Sequence, residues 1–368
     1  MSRRHPPAQI HAIAGGGKYA LFLFLIIILV IRLLTYNTPF LDGQKIRISS
    51  RVSSEPIKYS YYQVIYVKGL KVYLPTFPEI TYGDFVVIEG VVETGELKDP
   101  LLIEFKKTEG VLYLVREKLL ENFRKALPEP HSSLVAGVTL GIKSAMPKDF
   151  WEALKKTGTA HVVVASGMNV TLVSSFLISF LILFFTRKKA LVLAIVGIWF
   201  YAVLCGFDAP IIRAAIMGSL AFVAQKVGRV SIAWRGLILA VLIMLIINPG
   251  WIMDIGFILS FLATASILAF EPKLRKFFSF LPKVVREGLS TALAAQIGVA
   301  PVLFITFGSY NILSPIINTL IAPTVAPITI IAGLAGLIGL VIAPLGRILT
   351  LLVYPLTSFF IGVVNLFT

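Results

Sequence analysis

Val162-Val-Val-Ala-Ser166-Gly-Met-Asn169-Val-Thr-Leu-Val-Ser-Ser-Phe-Leu-Ile-Ser-Phe180-Leu-Ile-Leu-Phe-Phe-Thr186 contains no ionisable side chain and runs directly into Arg187-Lys188-Lys189. A helix rises about 1.5 Å per residue, so an uncharged run of this length crosses a hydrocarbon layer ~30 Å thick. The basic cluster at its end marks the cytoplasmic side. Further apolar runs follow at roughly 190–207, 209–226, 233–248, 252–270, 289–307, 312–343 and 349–367, and an earlier one spans Tyr19 to Leu34. The fold class predicted is a polytopic α-helical membrane protein with about nine spans.

Composition agrees. The chain is 57% hydrophobic and 14% charged, with a mean hydropathy of +0.86, whereas ordinary soluble domains are about 25% charged. A single cysteine, Cys205, excludes an internal disulfide framework, and four histidines (5, 11, 131 and 161) argue against a histidine-rich metal site. No cofactor is expected. The net charge of +15 is unevenly placed: residues 42–130 carry 13 basic and 13 acidic side chains, so the whole excess lies at the N-terminus and in the apolar region. The positive-inside rule accounts for most of it.

The loops give an orientation. Arg187-Lys188-Lys189, Lys226 to Arg235, Lys273 to Arg286 and Arg347 fall on one side, while the loops near Gly206, Asn248-Pro249-Gly250 and Gly308-Ser309 carry almost no basic residues. Arg3, Arg4 and Lys18 precede the first run, and Arg32 with bulky residues follows it instead of a small-residue cleavage site. The reading is an uncleaved first span, a cytoplasmic N-terminus and an external C-terminus, in the cytoplasmic (inner) membrane.

The chain divides into four parts: 1–40, cytoplasmic N-terminus and first span; 41–111, an extracytoplasmic β-domain; 112–160, connecting segments; 161–368, the multi-span domain. In the second part short β-branched and aromatic runs (45–52, 61–67, 70–74, 84–92, 101–105) are punctuated by Gly69, Pro75, Pro78, Gly83 and Gly95. About five strands in so short a segment suit a small closed barrel of the OB type. The third part holds a Lys- and Glu-rich helix, Leu112–Leu127. It also holds an interfacial amphipathic helix, Pro147–Lys156, whose Phe150, Trp151 and Leu154 share a face and which Gly158 ends. Pro315, Pro323 and Pro327 predict that the run 312–343 is a broken helix or two half-spans.

Polar groups inside apolar spans are costly and usually face a bundle interior or an aqueous path. His161, Ser166, Asn169, Asp208, Arg213, Asp254 and Asn318 fall toward the outer side, and Gln296 lies deeper. Such a set suits a mouth that hydrogen-bonds a polyanion as it loses water. Plainer readings stay open beside it. Asp208 suits an N-cap with Pro210 in the first turn. Arg213 suits a snorkelling residue or an ion pair with Asp208. The serine and asparagines suit helix-packing contacts, and His161 a structural hydrogen bond.

His161-Val-Val-Val-Ala-Ser166-Gly167-Met168-Asn169-Val170 resembles the signature His-Leu-Leu-Ala-Ile-Ser-Gly-Leu-His-Val of ComEC-type competence proteins, with Asn169 standing where that family usually has histidine. Three further stretches resemble the same family in the same order: Ala209 to Met217 around Pro210 and Arg213, Asn248-Pro249 through Asp254 to Ser260-Phe261, and Gln296 to Pro301 followed by Phe307-Gly308 and Pro315 to Asn318. The resemblance implies a cytoplasmic-membrane channel passing single-stranded DNA inward during natural transformation, with an OB-like external domain. DNA receptor, motor and nuclease would be separate partners, and membrane lipids the surroundings. Longer members carry a metallo-β-lactamase-like domain. This sequence has no His-x-His-x-Asp-His cluster and resembles a short form without enzymatic activity of its own.

In the β-domain, Tyr61, Tyr62, Tyr66 and Tyr73, together with Tyr59, could serve as base-stacking platforms, or simply as strand residues in a stretch, 42–130, of zero net charge. Three other functions were weighed. An intramembrane serine protease needs a base, and no histidine follows His161. An aspartyl protease using Asp208 and Asp254 lacks the Gly-x-Gly-Asp loop. A small-solute or lipid-precursor transporter is equally compatible with broken helices and buried charge. No P-loop motif supplies an energy source.

Overall fold

The computed structural model describes residues 13–35, 40, 42–52, 56–59, 61–108, 110–143, 146–163, 167–207, 209–227, 233–307 and 311–368. After the apolar helix α1 (Ile13–Leu34) the chain forms six strands: β1 (Lys45–Arg51), β2 (Ile57–Lys58), β3 (Tyr62–Val67), β4 (Leu70–Pro75), β5 (Phe85–Glu93) and β6 (Glu96–Lys106). Two tight hairpins organise them. Lys68-Gly69 and Thr94-Gly95 all have positive φ, the geometry of two-residue turns whose twist matches the flanking strands. Alternation then places Ile48, Ile65, Val67, Val72, Leu74, Val86, Ile88 and Val92 in one core.

The strand order is β1-β5-β6-β4-β3-β2, with β4 and β6 the one parallel pair. The sheet is open, contrary to the closed barrel expected from the sequence. The free edge of β3 is covered at Gln63 and Val64 by the two-residue β2 and not by β1, which pairs with β5 over its whole length. Two buried polar side chains fix the loops. Gln63 Nε2 donates to the Pro75 and Pro78 carbonyls, both at 2.7 Å, and its Oε1 accepts from Ile80 N. The Asp84 carboxylate accepts from Thr81 N and Thr108 N, both at 2.8 Å, tying the exit of β6 to the loop before β5.

The helices that follow are α2 (Val111–Ala126), α3 (His131–Leu140), α4 (Lys148–Lys156), α5 (Ala160–Val163), α6 (Gly167–Leu181), α7 (Arg187–Leu204), α8 (Ala209–Lys226), α9 (Ala233–Ile247), α10 (Ile255–Phe277), α11 (Lys283–Phe307), α12 (Ser314–Val341), α13 (Ala343–Leu351) and α14 (Tyr354–Leu366). They pack in three clusters: α6, α7 and α8; α8, α9 and α10; and a third in which α2, α3, α4 and α14 surround α12. The outer surface stays apolar. Leu183, Phe184, Val196, Phe304, Ile305 and Val341 are each more than half exposed, an arrangement stable in lipid but not in water. Among the described residues, four helical segments are long and apolar enough to cross a membrane, or five if α13 and α14, bent by 45°, count as one. The sequence count of about nine rests on apolar runs alone. Among the others, α7 and α8 have 18 residues and α9 has 15, and the first turn of α7 is Arg187-Lys188-Lys189.

Two local expectations are corrected by packing. The run 312–343 is one continuous helix up to Val341. Pro315 sits in its first turn, where no backbone donor is needed. Burial of Ile317, Ile321, Val325, Ile328 and Ala332 against α2, α3 and α14 outweighs the bonds lost at Pro323 and Pro327. Helix α4 ends before Gly158 in a left-handed conformation, as its sequence predicts. Its apolar face, however, is turned to protein: Phe150, Ala153 and Leu154 lie in the cluster around α12.

Candidate functional site

Two polar clusters lie inside the helical body. The first is built on α8 and α10. Arg213 is one turn into α8 and only 9% exposed. Its Nε donates to Ser260 Oγ at 2.7 Å, its Nη1 donates to Thr264 Oγ1, and its guanidinium carbon lies 5.8 Å from the centre of the Phe261 ring. Ser260 and Thr264 are four apart on α10 and so share the face turned to α8. Nη2 approaches the first residue of α6, standing 2.6 Å from where a Cβ on Gly167 would lie. Among the described residues no carboxylate pairs with Arg213. The guanidinium is held by two neutral hydroxyls. It points into the bundle, which removes the snorkelling reading, and Asp208 lies outside the described residues.

The second cluster is neutral. Ser314, the first residue of α12, is 2% exposed. Its Oγ accepts from Gln296 Nε2 on α11 at 3.1 Å and from Asn318 Nδ2 at 3.0 Å, and donates to the Gly158 carbonyl at 3.2 Å. Nearby, Asn311 Nδ2 donates to the Lys156 carbonyl at 2.7 Å. Gln296 Oε1 and Asn318 Oδ1 are buried without a protein partner. This cluster clasps the end of α4 to the α11–α12 junction.

The remaining predicted residues separate. Asn169, fully buried on α6, donates to the Val138 carbonyl of α3 at 2.7 Å, and its Oδ1 has no partner among the described residues. Asp254 is the N-cap of α10, its Oδ1 accepting from Phe257 N at 2.6 Å. It remains exposed. His161 is exposed on α5. Ser166 lies outside the described residues. The structure therefore joins Gln296 with Asn318 and Arg213 with Gly167, the residue after Ser166. Sequence reading left Thr264 and Ser314 unassigned. The signal for Thr264 was its spacing from Ser260, which the motif already contained.

On the β-domain, Tyr59 stacks on Tyr62 with ring centres 4.6 Å apart, and Tyr73 lies 5.8 Å from Tyr62. Tyr61, on the other parity of the strand, is 90% exposed. Lys71 donates to the Tyr73 hydroxyl and to Glu96 Oε1, the latter at 3.1 Å. The Tyr73 contact, reinforced by Glu96, holds the Lys71 ammonium protonated well above the usual lysine range, and Lys71 in turn lowers the Glu96 carboxyl. Burial raises the Tyr66 phenol, with Lys71 opposing and Asp254 adding to the shift.

Residues 138–368 match the family model for competence proteins. The chain belongs to the competence-protein family. It is 25% identical over 215 residues to ComE operon protein 3 of Bacillus subtilis (strain 168), covering 57% of this chain and 26% of that protein. It is 27% identical over 225 residues to competence protein ComA of Neisseria gonorrhoeae, covering 56% and 31%. An uncharacterized protein, YcaI, of Escherichia coli (strain K12) is 26% identical over 237 residues, covering 61% and 31%. The chain therefore spans about a quarter to a third of the length of these relatives. No solved structure matches it. The matched residues include both polar clusters and leave out the β-domain.

Proposed function

We propose that this competence protein is a channel passing single-stranded DNA across the cytoplasmic membrane during natural transformation, and that Arg213 contacts the strand's phosphates. The observation that carries this reading is a buried guanidinium held by Ser260 and Thr264 with no carboxylate partner among the described residues. A charge with no carboxylate partner among the described residues is expensive to hold among apolar helices, and that supports an anionic cargo. Family membership supports DNA as that cargo, since competence is the capacity to take up DNA. In this reading the chain has nine spans, a cytoplasmic N-terminus and an OB-like domain outside. His161, Ser166, Asn169, Asp208, Asp254, Gln296 and Asn318 shape the path, and Tyr61, Tyr62, Tyr66 and Tyr73 meet bases above it. The chain catalyses no reaction, and receptor, motor and nuclease are separate proteins.

Deletion of the gene in its competent host, with complementation by wild type and Arg213→Ala, tests this. Labelled DNA is expected to remain bound outside the deletion strain without entering, and Arg213→Ala at normal membrane abundance fails to restore entry. Uptake that survives deletion would overturn the proposal and favour a small-solute or lipid-precursor transporter.

A further inference from the structure

We propose that an open cavity at the base of the β-domain binds the phosphate headgroup of an acidic glycerophospholipid and fastens that domain to the membrane surface. The cavity, of about 510 Å³, is lined by Arg51, Phe85, Lys106, Lys107, Thr108 and Gly110. Arg51 on β1 is the register partner of Phe85 on β5, and Phe85 that of Lys106 on β6. The three side chains are cross-strand neighbours on one face, with a cation on each side of the ring. Arg51 is held in place: its Nη1 donates to Thr108 Oγ1 at 3.0 Å and to the Gly83 carbonyl at 3.4 Å. Lys107 is paired with Glu117 at 3.0 Å, whereas neither Arg51 nor Lys106 has a carboxylate partner among the described residues.

The depth of the site follows from its neighbours. Gly206 lies in the turn between the apolar helices α7 and α8, and such a turn belongs at a bilayer surface. The Tyr82 ring rests 4.0 Å from the Cβ position of Gly206. The next residue, Gly83, is the one whose carbonyl Arg51 holds. Beside the cavity the first turn of α2 presents Val111, 75% exposed, and Leu114, 45% exposed, three residues apart on one face. A cationic cavity beside bare aliphatic side chains at headgroup level matches the two ends of an acidic lipid. A nucleic-acid strand would use the cations and leave Val111 and Leu114 in water. The inference rests on α7 and α8 crossing the bilayer, and holds whatever the cargo.

The test is native mass spectrometry of the full chain from nanodiscs of equal phosphatidylglycerol and phosphatidylcholine. Wild type is expected to retain phosphatidylglycerol about tenfold over phosphatidylcholine. Each basic group near a bilayer surface contributes about fivefold, so Lys106→Gln lowers the preference about fivefold and Arg51→Gln/Lys106→Gln abolishes it. Lys106 makes no side-chain bond among the described residues, so its single variant keeps the fold. Lys68→Gln, in the β3–β4 turn, leaves the preference unchanged. Absence of a preference in wild type, or equal preference in Lys106→Gln and Lys68→Gln, overturns the proposal. So does thermal stabilisation by inorganic phosphate equal to that by the lipid, which would make the site one for free phosphate. Loss of oligothymidylate binding in Lys106→Gln with lipid retention intact would assign the cavity to nucleic acid.

Discussion

Lys71 and Arg213 are two cations, each held by a hydroxyl group, in opposite surroundings. Lys71 lies on a wet strand face and is matched by Glu96 at 3.1 Å. Arg213 lies among apolar helices and is matched by no carboxylate among the described residues, only by Ser260 and Thr264. In water a cation is cheaply solvated and its ion pair contributes little. Inside a bundle a charge without a counter-charge costs far more, and hydrogen bonds donated to hydroxyl oxygens offset only part of that. Stability explains Lys71 well and Arg213 poorly. The buried charge is the one to interrogate for function.

The largest expected effect comes from separating the charge of Arg213 from its packing. Replacing a buried cation by an apolar residue of similar volume is often neutral or stabilising. Arg213→Met should therefore unfold in detergent at the wild-type temperature or above, while DNA entry in the complemented host falls by about two orders of magnitude. A variant that loses stability in step with uptake would make Arg213 a structural residue like Lys71. Gly167→Ala comes next. Its methyl group would meet Nη2 at 2.6 Å and push the guanidinium off Thr264. Loss of one hydrogen bond to a charged group is worth about 2 kcal/mol, so DNA entry should fall about tenfold or more. Gly236→Ala, with nothing within 4 Å, is the silent comparison.

Ser314→Ala probes the neutral cluster. It deprives Gln296 and Asn318 of their acceptor and should lower unfolding stability by about 1–3 kcal/mol, measured by thermal denaturation, with a smaller effect on uptake than either change above. The smallest effect belongs to Lys71 and Glu96. Lys71 depresses the Glu96 carboxyl, so its contribution to stability is complete above the ordinary glutamate pKa and is lost as pH falls through the folded value. A modest loss of β-domain stability below about pH 4.5, flattened in Glu96→Gln, is expected in pH-dependent melting curves.

Most helices were legible as apolar runs because a bilayer demands long uncharged segments, and the β3–β4 turn because Gly69 permits positive φ; the start of β6 at Glu96 was missed, since 96–100 lacks a run of strand-forming residues. The open sheet, the unbroken α12 and the protein-facing side of α4 were not legible. Each depended on what lay beside the element: β2 on the edge of β3, the core around α12, and the same core under Phe150 and Leu154. For the candidate site, the sequence singled out Arg213, Gln296 and Asn318 through one rule, that polar groups among apolar ones need a reason. For Arg213 it offered Asp208, which lies outside the described residues, and it did not indicate Ser260 and Thr264 or the shared Ser314.

The sequence by itself determined that this is a competence-family chain of apolar helices with a β-rich insertion, because composition, period and ordered motifs are local properties of the chain. Only the tertiary structure decided that Asp254 caps a helix, that Asn169 ties α6 to α3, and that Ser314 joins Gln296 to Asn318. It also decided that Arg213 meets Ser260 and Thr264, which lie 47 and 51 residues away along the chain. A hydrogen bond acts over about 3 Å, and no spacing along a sequence specifies which helix face will be brought that close.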